Sequence, residues 1–305
     1  MKRFSKGLFL VIVVISLMII GCTKNSVNPN GSLGGTPGGT QTTFVVQLSS
    51  SASLGNYLVD KDGYSLYSFS DDYQGMNTCS GACAALWPYF YAGPLTTANL
   101  GNGLNLSDFG TVTVGSVTQT TYKGWPLYYY APVPGGAYAG SSNVRESPGQ
   151  IGGDGYNNIW FVAKPDYSIF LADGQLVGNN GLNYLDTYLP GNGKTLYFTD
   201  SKGITLYTYS HDSAGINKFT HADFLNNPNW PIYDTTLIVV PSVLDKTLFA
   251  TTTVFGRKQL TYNGWPLYYF GSDANVMGNN KGVSIGAKPG VWSVPEMNTL
   301  PAPHK

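Results

Sequence analysis

Tyrosine is followed five positions later by aspartate at Tyr67/Asp72, Tyr207/Asp212 and Tyr268/Asp273. Each of these carboxylates can give an oxygen to a hard cation such as Ca²⁺, or close a turn by accepting backbone N–H groups. Asp72 and Asp212 are each followed by Gly three and Asn five residues on, which suits an Asx-type turn. No run matches an EF-hand loop, and one carboxylate per turn is thin for a hard cation. Turn-locking is therefore the expected role.

The remaining chemistry-bearing groups are few. Cys79 and Cys83 could form a structural disulfide, a redox pair or a metal dithiol. No basic neighbour between Thr78 and Ala85 would lower a thiol pKa, and an exported chain favours the disulfide. His211, Asp212, His221 and Asp223 form the one His/carboxylate grouping, but no third nitrogen or thiolate lies nearby. His211 and His221 are thus weak metal candidates and are expected to be surface residues; no cofactor is expected. Gly282-Val-Ser284-Ile-Gly286 spells Gly-x-Ser-x-Gly, yet the only later histidine is His304 near the end, so a hydrolase is not expected.

These residues sit on a repeated element. Gly124-Trp-Pro-Leu-Tyr-Tyr-Tyr130 returns as Gly264-Trp-Pro-Leu-Tyr-Tyr-Phe270, with looser copies at Gly63–Phe69 and Gly203–Tyr209. The turns Asp62-Gly63, Lys123-Gly124, Lys202-Gly203 and Asn263-Gly264 separate β-rich runs, as hairpins require. Asp60, Gly63, Tyr67, Asp72, Gly75 and Asn77 map onto Asp200, Gly203, Tyr207, Asp212, Gly215 and Asn217 at an offset of 140, as do Tyr122 and Trp125 onto Tyr262 and Trp265. All six tryptophans occupy repeat-equivalent places and read as core pegs.

The expected fold is all-β. A pseudo-fourfold repeat of hairpin units forms a duplicated half, arranged as a propeller-like or closed ring or, alternatively, as two tandem small β domains. Single helical turns are expected only near Cys83–Leu86 and Ala222–Leu225.

The ends give an address. Lys2, Arg3 and Lys6 precede an apolar run from Leu8 to Ile20 and then Gly21-Cys22, an export signal with a lipidation cysteine. The expected organisation is a signal over 1–21, a flexible tether over 22–43 beginning at lipidated Cys22, a first half over 44–165 and a connection over 166–192. A second half over 193–297 and a frayed tail over 298–305 complete it. Without Lys2, Arg3 and Lys6, 14 basic residues face 17 acidic ones, a balance that argues against nucleic acid. Charged residues make up 11% against 14% aromatic, so most of the chain has enough apolar material to fold.

With Leu-Tyr-x-Phe-x-x-Asp, Cys79-Ser-Gly-Ala-Cys83, Trp87-Pro88 and Tyr-x-Gly-Trp-Pro-Leu-Tyr-Tyr in view, residues 54 to 295 resemble a bacterial lipoprotein family of secreted tandem repeats with a Tyr-x4-Asp motif. The resemblance implies location and architecture but no reaction. Two departures stand out. Val133 occupies the acid's place in the second unit, and Phe219 and Asp223 stand where the first half has Cys79 and Cys83.

The function expected is that of a non-enzymatic protein anchored by lipid to the bacterial envelope, at its outer membrane. It would bind a partner protein or glycan, or serve a structural role. The rival is a redox- or metal-handling lipoprotein. Tyr129, Tyr130, Tyr269 and Phe270 are the candidate aromatic binding surface, because rings on both faces of a strand cannot all share one local core.

Overall fold

Short antiparallel hairpins make up nearly all of the regular structure. The computed structural model describes residues 44–138 and 141–304, within a unit bounded by Thr42 and Lys305. The signal segment, Cys22 and the tether lie outside the described residues. No helix among the described residues is long and apolar enough to cross a membrane.

In the first half, β1 (Val46–Ser51) and β2 (Gly55–Asp60) form a hairpin. β3 (Tyr67–Phe69) pairs with the distant β9 (Trp160–Val162). Between them, β4 (Phe109–Val114), β5 (Val117–Tyr122) and β6 (Trp125–Pro126) form a meander. β7 (Val133–Tyr138) and β8 (Ser141–Val144) form a separate hairpin.

The rest of the chain runs in parallel terms, and the stretch 166–192, expected as a connection, supplies two of its strands. β10 (Phe170–Val177) lies between β11 (Asn183–Tyr184) and β12 (Lys194–Thr199). β13 (Thr208–Tyr209) pairs with β17 (Trp292–Ser293), and β14 (Phe249–Val254), β15 (Arg257–Tyr262) and β16 (Trp265–Pro266) repeat the meander. Only the β7–β8 hairpin lacks a counterpart among these sheets. The one α-helix among the described residues is α1 (Ala82–Leu86); the second expected helical turn is irregular, with Phe224 at φ +57°.

The meanders turn where the sequence permits left-handed backbone. Lys123 and Gly124 have φ of +51° and +92°, and Asn263 and Gly264 have +48° and +84°. Two consecutive positive φ values match the right-handed twist of the flanking strands. The strand after each turn therefore folds straight back, and Leu127 and Leu267 donate to Thr120 and Leu260.

Among the described residues the small sheets close into neither a barrel nor a propeller. The units instead satisfy one another in pairs. Tyr67 bridges Tyr128, and Tyr207 bridges Tyr268, each through two backbone hydrogen bonds of 2.8–2.9 Å. Nothing in this pairing hands a strand edge on to a third unit. The core is nevertheless shared: Trp125 and Phe161 from the first half pack in one cluster with Phe170, Tyr207 and Trp230 from beyond residue 165.

Each pair is filled by stacked indoles. Trp87 lies on Trp160 with centroids 3.8 Å apart and planes 1° apart, and Trp230 lies on Trp292 at 3.5 Å and 7°. Tyr128 and Tyr268 meet the second indole of each stack edge-on. Such geometry suits the ring quadrupoles and adds to area burial. A glycine allows the rings this close. A Cβ at Gly153 would fall 2.8 Å from Trp87, and one at Gly282 would fall 2.6 Å from Tyr207 and 2.9 Å from Trp230.

Gly282 is the first residue of the Gly-x-Ser-x-Gly sequence. Ser284 ends a short 3₁₀ turn (Lys281–Ser284) rather than a strand-to-helix elbow, and its Oγ lies 3.5 Å from the Lys281 carbonyl. The tail is also tied down. Ala302 N donates to Asn263 O, and the Asn263 side chain donates to Thr299 O, so residues 298–304 do not fray. Gly282→Ala should overpack the ring contact and cost about 1–3 kcal/mol. Ser284→Ala should stay within about 0.5 kcal/mol of the parent. Urea unfolding of both variants checks the pair, and the reverse order would contradict the packing role of Gly282.

Candidate functional site

The tyrosines and acids of the repeat do meet, but not within their own motif. Tyr128 donates to Asp72 Oδ2 at 2.5 Å, Tyr268 to Asp212 Oδ2 at 2.7 Å and Tyr207 to Asp273 Oδ2 at 2.6 Å. Paired units thus exchange partners: the tyrosine of one bonds the acid of the other. Tyr67 completes the set by donating to Glu146. The other carboxylate oxygens accept backbone N–H groups, from Thr78, Lys218, Lys281 and Gly152 at 2.7–2.9 Å. The tyrosine oxygens are used as acceptors as well, by Gly153 N on Tyr67 and Gly282 N on Tyr207.

A second ring of acids locks the turns. Asp60 Oδ1 accepts from Asp62 N and Tyr64 N at 2.9 Å, while its Oδ2 accepts from Tyr129 at 2.8 Å. Asp200 repeats this with Lys202 N, Ile204 N and Tyr269. Arg145 stands over the Tyr64 and Tyr129 rings and pairs with Asp60 at 3.7 Å.

Burial sets the electrostatics. Asp72, Asp212 and Asp273 are 0%, 1% and 0% exposed. Loss of hydration pushes Asp72 and Asp273 up to about 7 and Asp212 up to about 6, while the tyrosine and backbone donors pull the other way. Burial also drives the four tyrosines well above their ordinary value, and the neighbouring carboxylates add to it. These acids are closed off and fully engaged. They can hold strands together, but they have no free oxygen to offer a substrate or a cation.

The other sequence candidates take unlike places. Cys79 and Cys83 are bonded, with Cα atoms 5.3 Å apart, and Cys79 is buried in the Trp87/Trp160 cluster. In the second half Phe219 fills the corresponding place, 4.9 Å from Trp292. His211 is exposed and lies 5.1 Å from the Tyr209 ring, and His221 is exposed in a turn. No group of three or more His, Cys, Asp or Glu side chains among the described residues could hold a metal ion. Of the candidate aromatic residues, Tyr129 and Phe270 are buried and Tyr130 and Tyr269 half-buried. Tyr129 and Tyr269 bond the turn acids, and Tyr130 and Phe270 pack at 4.6 and 4.4 Å on Trp87 and Trp230. Both strand faces are covered, one by the turn and one by the indole stack.

An opening appears instead at Trp265. Its counterpart Trp125 is 2% exposed; the ring meets Phe170 at 4.6 Å, and Nε1 donates to Ser201 O across the joint between halves. Trp265 Nε1 donates to Leu300 O of the tail at 2.8 Å, and its half-exposed ring lines a cavity of about 480 Å³. Tyr188, Thr208, Ser210, Ser293 and Asn298 share the lining. Tyr188 holds a left-handed φ of +61°, and its hydroxyl accepts from Val294 N. Strained residues of this kind are found at ligand clamps.

Sequence reasoning missed Glu146 and the role of Asp60 and Asp200. The 140-residue offset carries both Asp60 to Asp200 and Tyr129 to Tyr269, so that lock was marked in the repeat. Glu146 carried no such mark. It comes after the β7–β8 hairpin, which occupies the place where Asp273 comes directly after its tyrosine.

Residues 49–90 and 250–294 match the model of a family described as a secreted repeat of unknown function, so the chain carries two such repeats. The first match spans Tyr67, Asp72, the disulfide and Trp87; the second spans Trp265 to Trp292. No curated protein and no solved structure matches the chain.

Tyr268→Phe should leave Asp212 Oδ2 without its phenolic donor and cost about 1–3 kcal/mol in urea unfolding. A change within error would show that the lock is not structural. The acids also set a pH dependence. Folded, Asp72, Asp212 and Asp273 keep protons to about 6–7, whereas unfolded they release them near ~4. Between those limits the unfolded chain binds fewer protons, so stability should be greatest at the acid end, fall as pH rises to about 7 and then level off. Thermal midpoints from pH 4 to 8 test the sign, and a steady rise from 5 to 7 would refute it.

Proposed function

We propose that this protein is a non-enzymatic, envelope-anchored lipoprotein whose β repeats bind a glycan. The family's secreted character and the export signal ending at Cys22 support the address. Lipid on Cys22 and a tether over 22–43 would hold the repeat unit at the membrane. The observation that carries the binding reading is the contrast between Trp125, sealed in the joint, and Trp265, open to a cavity. An indole beside hydroxyls and an amide offers a flat apolar face with hydrogen-bonding partners around it. Sugar rings, apolar on one face and hydroxylated at their rims, fit that combination.

The buried acids support the non-enzymatic part, since each already serves a turn or a tyrosine. The rival redox- or metal-handling reading draws no comparable support. Cys79 is packed among rings, and the two histidines sit on exposed loops.

The full-length protein in detergent should be retained on cell-wall sacculi, and Trp265→Ala should weaken retention about tenfold or more. Cys22→Ser should lose both fatty-acid labelling and membrane fractionation. Sacculus retention unchanged by Trp265→Ala would sink the glycan reading and favour a protein partner or a purely structural role.

A further inference from the structure

The cavity at Trp265 carries charge as well as an aromatic wall. Asp186 and Glu296 both line it. They come from opposite sides of the chain: Asp186 lies just after β11, and Glu296 lies beyond β17 in the segment leading to the tail. Among the described residues neither is in an ion pair. Burial first, and then the Asp186 charge, push Glu296 up to about 7. Asp186 is exposed and Glu296 half-buried, and both border the cavity.

Resting on the glycan reading, we propose that the saccharide bound at Trp265 bears a free amino group, held as an ammonium between Asp186 and Glu296 with the sugar face against the indole.

The chemistry is specific in sign. Two like charges around one cavity disfavour each other, and a cation placed between them turns that repulsion into attraction. The same cation gains from an aromatic face within reach. A neutral sugar would leave the repulsion in place, and an acidic one would add to it. Ser210 and Asn298 remain for ring hydroxyls, while the Thr208 and Ser293 hydroxyls already donate to Ser293 O and Gly290 O. The site is private to the second half, because Trp125, the matching indole, is buried under Phe170 and Ser201.

The test titrates full-length protein in detergent with two probes, glucosamine oligomers with free amines and the same oligomers N-acetylated, tracking tryptophan fluorescence at low and high salt. The expected result is at least tenfold tighter binding of the free amine, weakened by salt. Asp186→Asn and Glu296→Gln should each bring the amine down toward the acetylated probe. Asp186 is exposed, so Asp186→Asn should leave the thermal midpoint unchanged and serve as the folding-neutral variant.

Equal affinity for both probes, lost in Trp265→Ala, would overturn the ammonium site while leaving the glycan reading intact. An amine preference that survives both carboxylate substitutions would overturn it as well. No binding of either probe, with self-association lost in Trp265→Ala, would overturn both and identify the cavity as a contact between copies.

Discussion

The fold depends on the hydrogen bond from a buried tyrosine to a buried carboxylate. Stripping water from an acid is costly unless donors replace it, and here each acid receives a phenol on one oxygen and backbone N–H on the other. The bond joins two units, so neither can bury its acid alone. Tyr207 serves Asp273 while Tyr268 serves Asp212, and this reciprocity makes a pair of units the smallest thing that can fold. The indole stack and the bridge between the tyrosine strands arise from the same juxtaposition.

That dependence also bears on why the small sheets close into no barrel or propeller among the described residues. A propeller passes strand edges from blade to blade, whereas these units spend their central strands on one partner. The halves meet through side-chain packing at Trp125 and the Asp71–Lys194 ion pair. At Trp265 the equivalent indole meets Leu300 of the tail instead.

Much of this was legible in the residues. Lys123-Gly124 and Asn263-Gly264 announced their hairpins because few residues accept positive φ. The paired loss of Cys79 and Cys83 to Phe219 and Asp223 read as bond against packing, and Phe219 does fill the cysteine's place against the indole stack. The spacing of Tyr and Asp did not reveal that each acid takes its phenol from the paired strand, as Asp72 does from Tyr128, 61 residues beyond Tyr67. Rings on both faces of the Tyr-Tyr strands suggested an exposed platform, but the turn acids cover one side. The cavity at Trp265 left no trace in the sequence, because Trp125 and Trp265 are identical in their local motifs and differ only in their neighbours in space.

The β7–β8 hairpin bears on how such chains diversify. It interrupts the run from a tyrosine to its acid, and Glu146 resumes the duty once the excursion ends. What is held constant is the point in space where a carboxyl arrives, not the number of residues travelled to reach it. The span between phenol and acid is therefore a grafting point, open to new loops without loss of the scaffold. A census of such units that counts residues between the two will overlook those that have already been embellished.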